Sequence, residues 1–163
     1  RIGRATASIA LGCGMEILAF DPYLDEGEVE LSLHPKYSND FKINVKTISK
    51  DNLLAHADFI SLHIPGGQGY VLDTEDFNKM KNDVGIVNCA RGGTINEAAL
   101  INALESGKVK YAATDVFEKE PPVSEEILRI DSVGLSPHIG ASTGEAQERV
   151  GVELAEKIIA FFK

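Results

Sequence analysis

Two side chains in this sequence stand where proton transfer and anion binding would need them. His138 follows Pro137 and precedes Ile139-Gly140-Ala141. Histidine is the side chain whose unperturbed pKa lies nearest neutrality, which suits it to act as a base. A short apolar run at residues 132–136 places His138 at the carboxyl end of a strand, where open α/β sheets bind ligands. Arg91 directly follows the run VGIVNCA (84–90) and precedes Gly92-Gly93. A guanidinium can hold a carboxylate with two parallel hydrogen bonds. The two glycines leave room for a ligand close to the backbone. His34, His56 and His63 have no such setting, and His63 reads as a packed residue inside a strand. Cys89 invites a nucleophile reading but no histidine partner is implied, so it is expected to pack.

The front of the chain carries a weaker signal. Arg1-Ile2-Gly3 runs straight into a helix-like segment, and Asp21 lies eighteen residues beyond Gly3 at the end of an apolar run. This fits the last three positions of a G-x-G-x-x-G turn. Helix amides at Arg1 and Ile2 would face phosphates, and Gly3 would let helix and strand pack closely. A carboxylate about 20 residues on accepts hydrogen bonds from ribose hydroxyls and repels a 2'-phosphate. The cofactor implied is NAD rather than NADP.

These residues need elements to hold them. Strand-like runs lie at 16–21 (EILAFD), 58–65 (DFISLHIP), 84–90, 109–115 (VKYAATD) and 132–136. Most are continuous apolar runs, the pattern of parallel strands buried on both faces. Helix-like stretches separate them at 2–11, 49–57, 74–81, 96–106 and 143–162. Thr74-Glu75-Asp76 looks like a helix start and Gly107 like a helix stop. The alternation predicts an α/β fold, a doubly wound, Rossmann-like parallel sheet. The connection at 22–46 is longer than the usual few residues. Its segments 29–33 and 43–47 alternate enough for one or two short strands, although a decorated loop is the plainer expectation. The final helix has an apolar stripe ending in Ile158, Ile159, Phe161 and Phe162, expected to pack in the core.

Composition narrows the function. The chain has 163 residues, 44% apolar and 25% charged, with a formal net charge of -9. A basic patch for nucleic acid does not stand out. Apolar runs fall far short of the roughly 20 residues a membrane span needs, so no membrane partner is expected. Two cysteines, Cys13 and Cys89, make neither a disulfide scaffold nor a metal cluster. They are expected to be buried, reduced thiols in a cytoplasmic protein, with no metal site.

Three segments go further: NCARGGTINEAAL around Asn88, DVFEKEPP from Asp115, and SPHIGASTGEAQ around His138. In order and spacing they resemble the D-isomer-specific 2-hydroxyacid dehydrogenase family, and PHIGAST followed by EAQ is most similar to its D-3-phosphoglycerate dehydrogenase branch. The resemblance implies hydride transfer between C2 of a 2-hydroxy acid and NAD. It makes His138 the base, Glu120 (the acid before Pro121) its partner, and Arg91 the substrate clamp. Glu118 is expected to be a solvated neighbour. By matching position, Ile64 and Pro65 flank the adenine or nearby ribose. Cys89, Ala90 and Arg91 line the nicotinamide side, Asp115 contacts the carboxamide, and His138, Gly140 and Ala141 approach the nicotinamide. The glycine-rich stretch 66–72 (GGQGYVL) is assigned no chemistry.

Residues 1–163 are therefore expected to form an NAD-binding domain cut at its front. The first strand of a 3-2-1-4-5-6 sheet is central. Residues upstream of Arg1, and a substrate domain absent from this chain, are thus expected in the working protein. The activity implied is oxidation of D-3-phosphoglycerate to 3-phosphohydroxypyruvate, the first step of L-serine biosynthesis. Rival readings are a glycerate/glyoxylate or lactate type dehydrogenase, and an NAD-sensing corepressor-like binding protein. The expected partners are a small 2-hydroxy acid and further copies of the chain, as a dimer or tetramer.

Overall fold

Helices begin where a side chain can satisfy amides that the first turn leaves without partners. The computed structural model, which describes residues 1–31, 36, 41–121 and 125–162, shows four such starts. Ser49 accepts from Asn52 N ahead of α2 (Lys50–His56). Asp73 accepts from Thr74 N ahead of α3 (Thr74–Lys79), and Asp76 reaches back to Asp73 N at 2.9 Å. The start is thus capped one residue before Thr74. Asn96 accepts from Ala99 N ahead of α4 (Glu97–Glu105), and Thr143 from Ala146 N ahead of α5 (Gly144–Phe161). The first helix, α1 (Ile2–Gly12), begins at Arg1 with no side-chain cap. Gly107, at φ 76°, turns the chain beyond α4 in the left-handed region that glycine enters without strain.

Among the described residues there are six strands: β1 (Glu26–Leu31), β2 (Phe41–Lys46), β3 (Phe59–Leu62), β4 (Val84–Asn88), β5 (Val109–Thr114) and β6 (Val133–Leu135). The last four form a parallel sheet in the order β3-β4-β5-β6. Its register runs through Ile60, Ile86, Ala112 and Val133. Leu54 of α2, Phe77 of α3, and Leu100 and Leu104 of α4 share one buried core with Ile60, Ile86 and Val109 of the sheet. This is an α/β, Rossmann-like arrangement of four parallel strands with helical crossovers.

Several expectations change. Residues 16–21 are not a strand. Only Ala19 makes a bridge, to Thr47, and Ile48 N donates to Ala19 O at 2.8 Å. A strand needs a ladder along its length, and this run finds one partner residue. The long connection is a built element rather than a plain loop. β1 and β2 pair antiparallel from Glu26 with Lys46 to Leu31 with Phe41. Residues 32 and 33 of the expected segment 29–33, and His34, lie outside the described residues.

Burial differs too. The sheet is covered on one face. β3 alternates exposed and buried, leaving Phe59 66% and Tyr111 58% exposed on the other side. Helix α5 has no buried residue, and Ile158, Ile159, Phe161 and Phe162 are all exposed, because no other described element packs along it. Both cysteines are exposed. Cys13 lies just past α1, and Cys89 alternates with buried Asn88 and Ala90. Among the described residues no helix is long and apolar enough to cross a membrane.

This burial pattern separates two substitutions. Leu54 is 1% exposed, so Leu54→Ala should cost about 2–5 kcal/mol through lost contacts and a cavity. Phe161→Ala should stay within about 0.5 kcal/mol, as expected for an exposed site. Urea unfolding of both variants checks this, and equal losses would place α5 in a core.

Candidate active site

Parallel strands end on the same side of a sheet, so the segments after β3, β4, β5 and β6 gather at one edge. Asp115, the residue after β5, is 3% exposed. Its Oδ1 accepts from Ser136 Oγ at 2.6 Å and from Ile139 N at 2.9 Å, and its Oδ2 accepts from Gly140 N at 2.7 Å. Burial alone would raise the carboxyl pKa. The hydroxyl, the two amides and nearby His138 outweigh it and hold Asp115 below the ordinary carboxylate value. Asp115 is thus bonded on both sides of His138, which sits at φ 55°. A non-glycine residue is rarely left-handed and needs its surroundings to hold it there.

Glu120 completes the pair. Its Oε2 lies 2.6 Å from His138 Nδ1, and its Oε1 accepts from Phe117 N at 3.2 Å. A carboxylate offers only lone pairs, so Nδ1 carries the proton and donates it. In the neutral ring Nε2 is then left with a lone pair for a substrate proton. The hydrogen bond from His138, then that from Phe117 N, hold the Glu120 carboxyl below its usual value.

Arg91 sits in a separately stiffened turn. Its carbonyl accepts from Thr94 Oγ1 at 2.7 Å and from Asn88 Nδ2 at 3.2 Å, while Asn88 Oδ1 accepts from Ala90 N at 3.1 Å. Asn88 and Thr94 are buried. The guanidinium donates to Ala90 O, and among the described residues no carboxylate pairs with it. Gly92 is required sterically. A Cβ there would lie 1.8 Å from Phe117 O, a backbone atom that cannot swing away. The Arg91 turn and the Glu120 turn therefore touch backbone to backbone. Gly66, after β3, lies against the Arg91 side chain, its added Cβ 3.1 Å from Arg91 Cβ.

The nucleotide-side residues are less tightly gathered. Gly3 brings α1 against the end of β3, where an added Cβ would meet His63 Cβ at 3.3 Å. His63 is not inside the strand. It follows β3, is exposed, and lies 3.0 Å from Ser61 Oγ. Arg1 forks onto Glu153 of α5 at 2.7 and 3.1 Å. That pairing, with Lys157, pushes the Glu153 carboxyl down to about 2. Asp21 accepts from Tyr23 N at 2.8 Å in a tight turn. It is exposed, and no contact joins it to the strand-end cluster. Ile64 and Pro65 follow β3, half-buried and exposed respectively. Partial desolvation, then the Asp115 charge, pushes the Cys89 thiol up, which disfavours a reactive thiolate. Gly140 touches Asp115, and Ala141 O accepts from Gln147 Nε2 at 2.9 Å.

Residues 1–140 match the family described as D-isomer specific 2-hydroxyacid dehydrogenase, NAD binding domain. The chain belongs to that family. It is 45% identical to a hydroxypyruvate reductase of Thermotoga maritima, across 96% of this chain and 48% of the relative. It is 40% identical to a D-3-phosphoglycerate dehydrogenase of Archaeoglobus fulgidus, across all of this chain and 29% of the relative. The chain thus spans half or less of either relative. Among solved structures, a putative D-isomer specific 2-hydroxyacid dehydrogenase from Polaromonas sp. JS6 66 superposes with a TM-score of 0.80 at 30% identity. That match covers 99% of this chain and 48% of the other. NAD is the family's cofactor.

Sequence reasoning missed the residues behind the pair. Ser136, two before His138, was legible only as a strand end. Asn88 and Thr94 lie in the segment NCARGGTINEAAL, but nothing in the sequence marks them as supports of the Arg91 turn. Glu118 is not merely solvated, since its carboxylate accepts from Glu97 N.

Two measurements test this geometry. Asp115→Ala should speed amide exchange at Ile139 and Gly140 at least about tenfold, since each loses a hydrogen bond to a charge worth ~1.5–3 kcal/mol. Unchanged protection would remove Asp115 as the anchor. Glu120 is depressed, so its ionised pairing with His138 is fully present above the ordinary carboxylate value. It is lost only as pH falls through the lowered folded value. A carboxyl titration by carbon NMR should show this, and a Glu120 midpoint at or above the ordinary value would contradict it.

Proposed function

We propose that this chain is the dinucleotide-binding part of an NAD-dependent D-2-hydroxyacid dehydrogenase whose substrate is D-3-phosphoglycerate. It would be oxidised to 3-phosphohydroxypyruvate, the first step of L-serine biosynthesis. The observation that carries the proposal is the 2.6 Å His138–Glu120 pair, together with an Arg91 that no carboxylate among the described residues pairs with. In the same reading residues 1–163 are one domain, the substrate domain lies elsewhere in the polypeptide, and the enzyme is a cytoplasmic homo-oligomer.

The residues fit such a ligand. The α1 start has no side-chain cap and no acidic residue in its first turn, leaving amides for a pyrophosphate. Asp21 is exposed with one oxygen engaged, which leaves the other for ribose hydroxyls. Bound NAD supplies the hydride acceptor. Arg91 holds the substrate carboxylate and thereby orients C2. His138 Nε2 takes the hydroxyl proton as the hydride leaves, and Glu120 stabilises the imidazolium that forms. Asp115 keeps the imidazole in place by gripping its loop.

A second reading has support. The Thermotoga maritima relative at 45% identity is a hydroxypyruvate reductase, which favours D-glycerate and hydroxypyruvate as the substrate pair. The PHIGAST and EAQ segments favour phosphoglycerate.

The test is NADH formation by the full-length protein with D-3-phosphoglycerate and, separately, D-glycerate. A kcat/KM at least about tenfold higher for D-3-phosphoglycerate is expected; the reverse order would assign the second reading. His138→Ala should lower kcat by about 10²–10⁴-fold, the usual range for a lost general base. NADH affinity should stay within about threefold, and a variant with undiminished kcat would exclude His138 as the base.

A further inference from the structure

Glu118 and Glu97 face each other across two loops and make a reciprocal clasp. Glu118 N donates to Glu97 Oε1 at 2.6 Å, and Glu97 N donates to Glu118 Oε1 at 3.0 Å. Glu97 is the first residue of α4, so its amide is one of those a helix leaves without an internal partner. Asn96 satisfies Ala99 N, while the Glu118 carboxylate serves Glu97 N from another loop. A negative charge there also suits the positive end of the helix dipole. The same Glu118 carboxylate raises the pKa of Tyr70, from the glycine-rich stretch.

The clasp lies next to the proton-transfer pair along the chain. Phe117, whose amide holds Glu120 Oε1, directly precedes Glu118. The Phe117 carbonyl lies against Gly92, beside Arg91. One short turn thus contacts α4 through the clasp, the Arg91 turn through Gly92, and Glu120 through the Phe117 amide. Asp115 grips the His138 loop from the other side. Nothing else among the described side-chain hydrogen bonds ties residues 117–120 to α4.

We propose that Glu118 is a positioning residue: clasped to Glu97, it sets the turn that presents Glu120 to His138 and keeps that pair in register with Arg91. The role rests on the reading of Glu120 and His138 as the proton-transfer pair. What the clasp needs from Glu118 is an acceptor oxygen, which an amide also has. Glu118→Gln should therefore retain the geometry, whereas Glu118→Ala should lose it. Close to the pair, a small misplacement is costly, because misalignment of about 1 Å can lower a rate by 10²-fold.

The experiment uses the full-length protein and compares Glu118→Ala with Glu118→Gln by kinetics, NADH binding and carbon NMR titration of the Glu120 carboxyl. Glu118→Ala should reduce kcat by about ten- to a hundredfold, with NADH affinity within about twofold. The Glu120 midpoint should rise toward the ordinary carboxylate value. Glu118→Gln should recover most of the rate and the depressed Glu120 midpoint. Three results would overturn the proposal: kcat and the Glu120 midpoint unmoved in Glu118→Ala, equal losses in both variants, or a fall in melting temperature alone. The titration needs no turnover. If the wild-type protein oxidises neither D-3-phosphoglycerate nor D-glycerate, the functional reading fails while the titration still decides the clasp.

Discussion

A carboxylate buried at the end of a strand must collect donors or give up its charge. Asp115 collects three, all from the loop that follows β6. Its solvation problem and the conformation of His138 therefore have one solution. The hydroxyl of Ser136 and the amides of Ile139 and Gly140 replace water around the carboxylate, and in doing so they close the loop around a left-handed histidine. With that loop held, Nδ1 reaches Glu120 and the other imidazole nitrogen keeps its lone pair.

The same economy recurs at the neighbouring strand end. Asn88 and Thr94 are buried polar side chains, and both satisfy themselves on the backbone of the Arg91 turn. The turn packs on Phe117 so closely that only glycine fits at position 92. Two turns packed backbone to backbone hold Arg91, the proposed clamp, and the turn that carries Glu120, partner of the proposed base. Such preorganisation matters because a group already in place costs no reorganisation during the reaction. Membership of the 2-hydroxyacid dehydrogenase family gives this arrangement its chemical meaning. The geometry explains why the motif residues that touch no substrate have the types they do.

The fold serves the site unevenly. Helices α2, α3 and α4 cover one face of the sheet and make a dense core with it. The opposite face and the whole of α5 remain exposed. The β1–β2 hairpin forms its own two-stranded sheet beside α1. The His138–Glu120 pair hangs from the ends of β5 and β6, which belong to the four-stranded sheet. Asp21 lies near the hairpin, in a turn of its own. Residues proposed for the adenosine end and for the nicotinamide end thus stand on separately organised parts of the chain.

Local chemistry was enough to read much of this from the sequence. Among the described residues, the α-helices and the four parallel strands lie where apolar periodicity placed them, because a residue run either presents a face to a core or it does not. Short motifs singled out His138, Glu120 and Arg91, and the structure brings His138 and Glu120 together at 2.6 Å. Tertiary structure alone decided which partners those groups found. Residues 16–21 have strand composition but one bridging partner, and composition cannot supply a ladder. Cys89 and His63 look interior by neighbourhood, but alternation and the end of β3 turn them outward. Glu118 and Glu97 lie 21 residues apart in sequence, with no periodicity linking them, yet each carboxylate caps the other's amide. A hydrogen bond between distant residues depends on how two loops pack, and that packing is a property of the folded chain rather than of any segment within it.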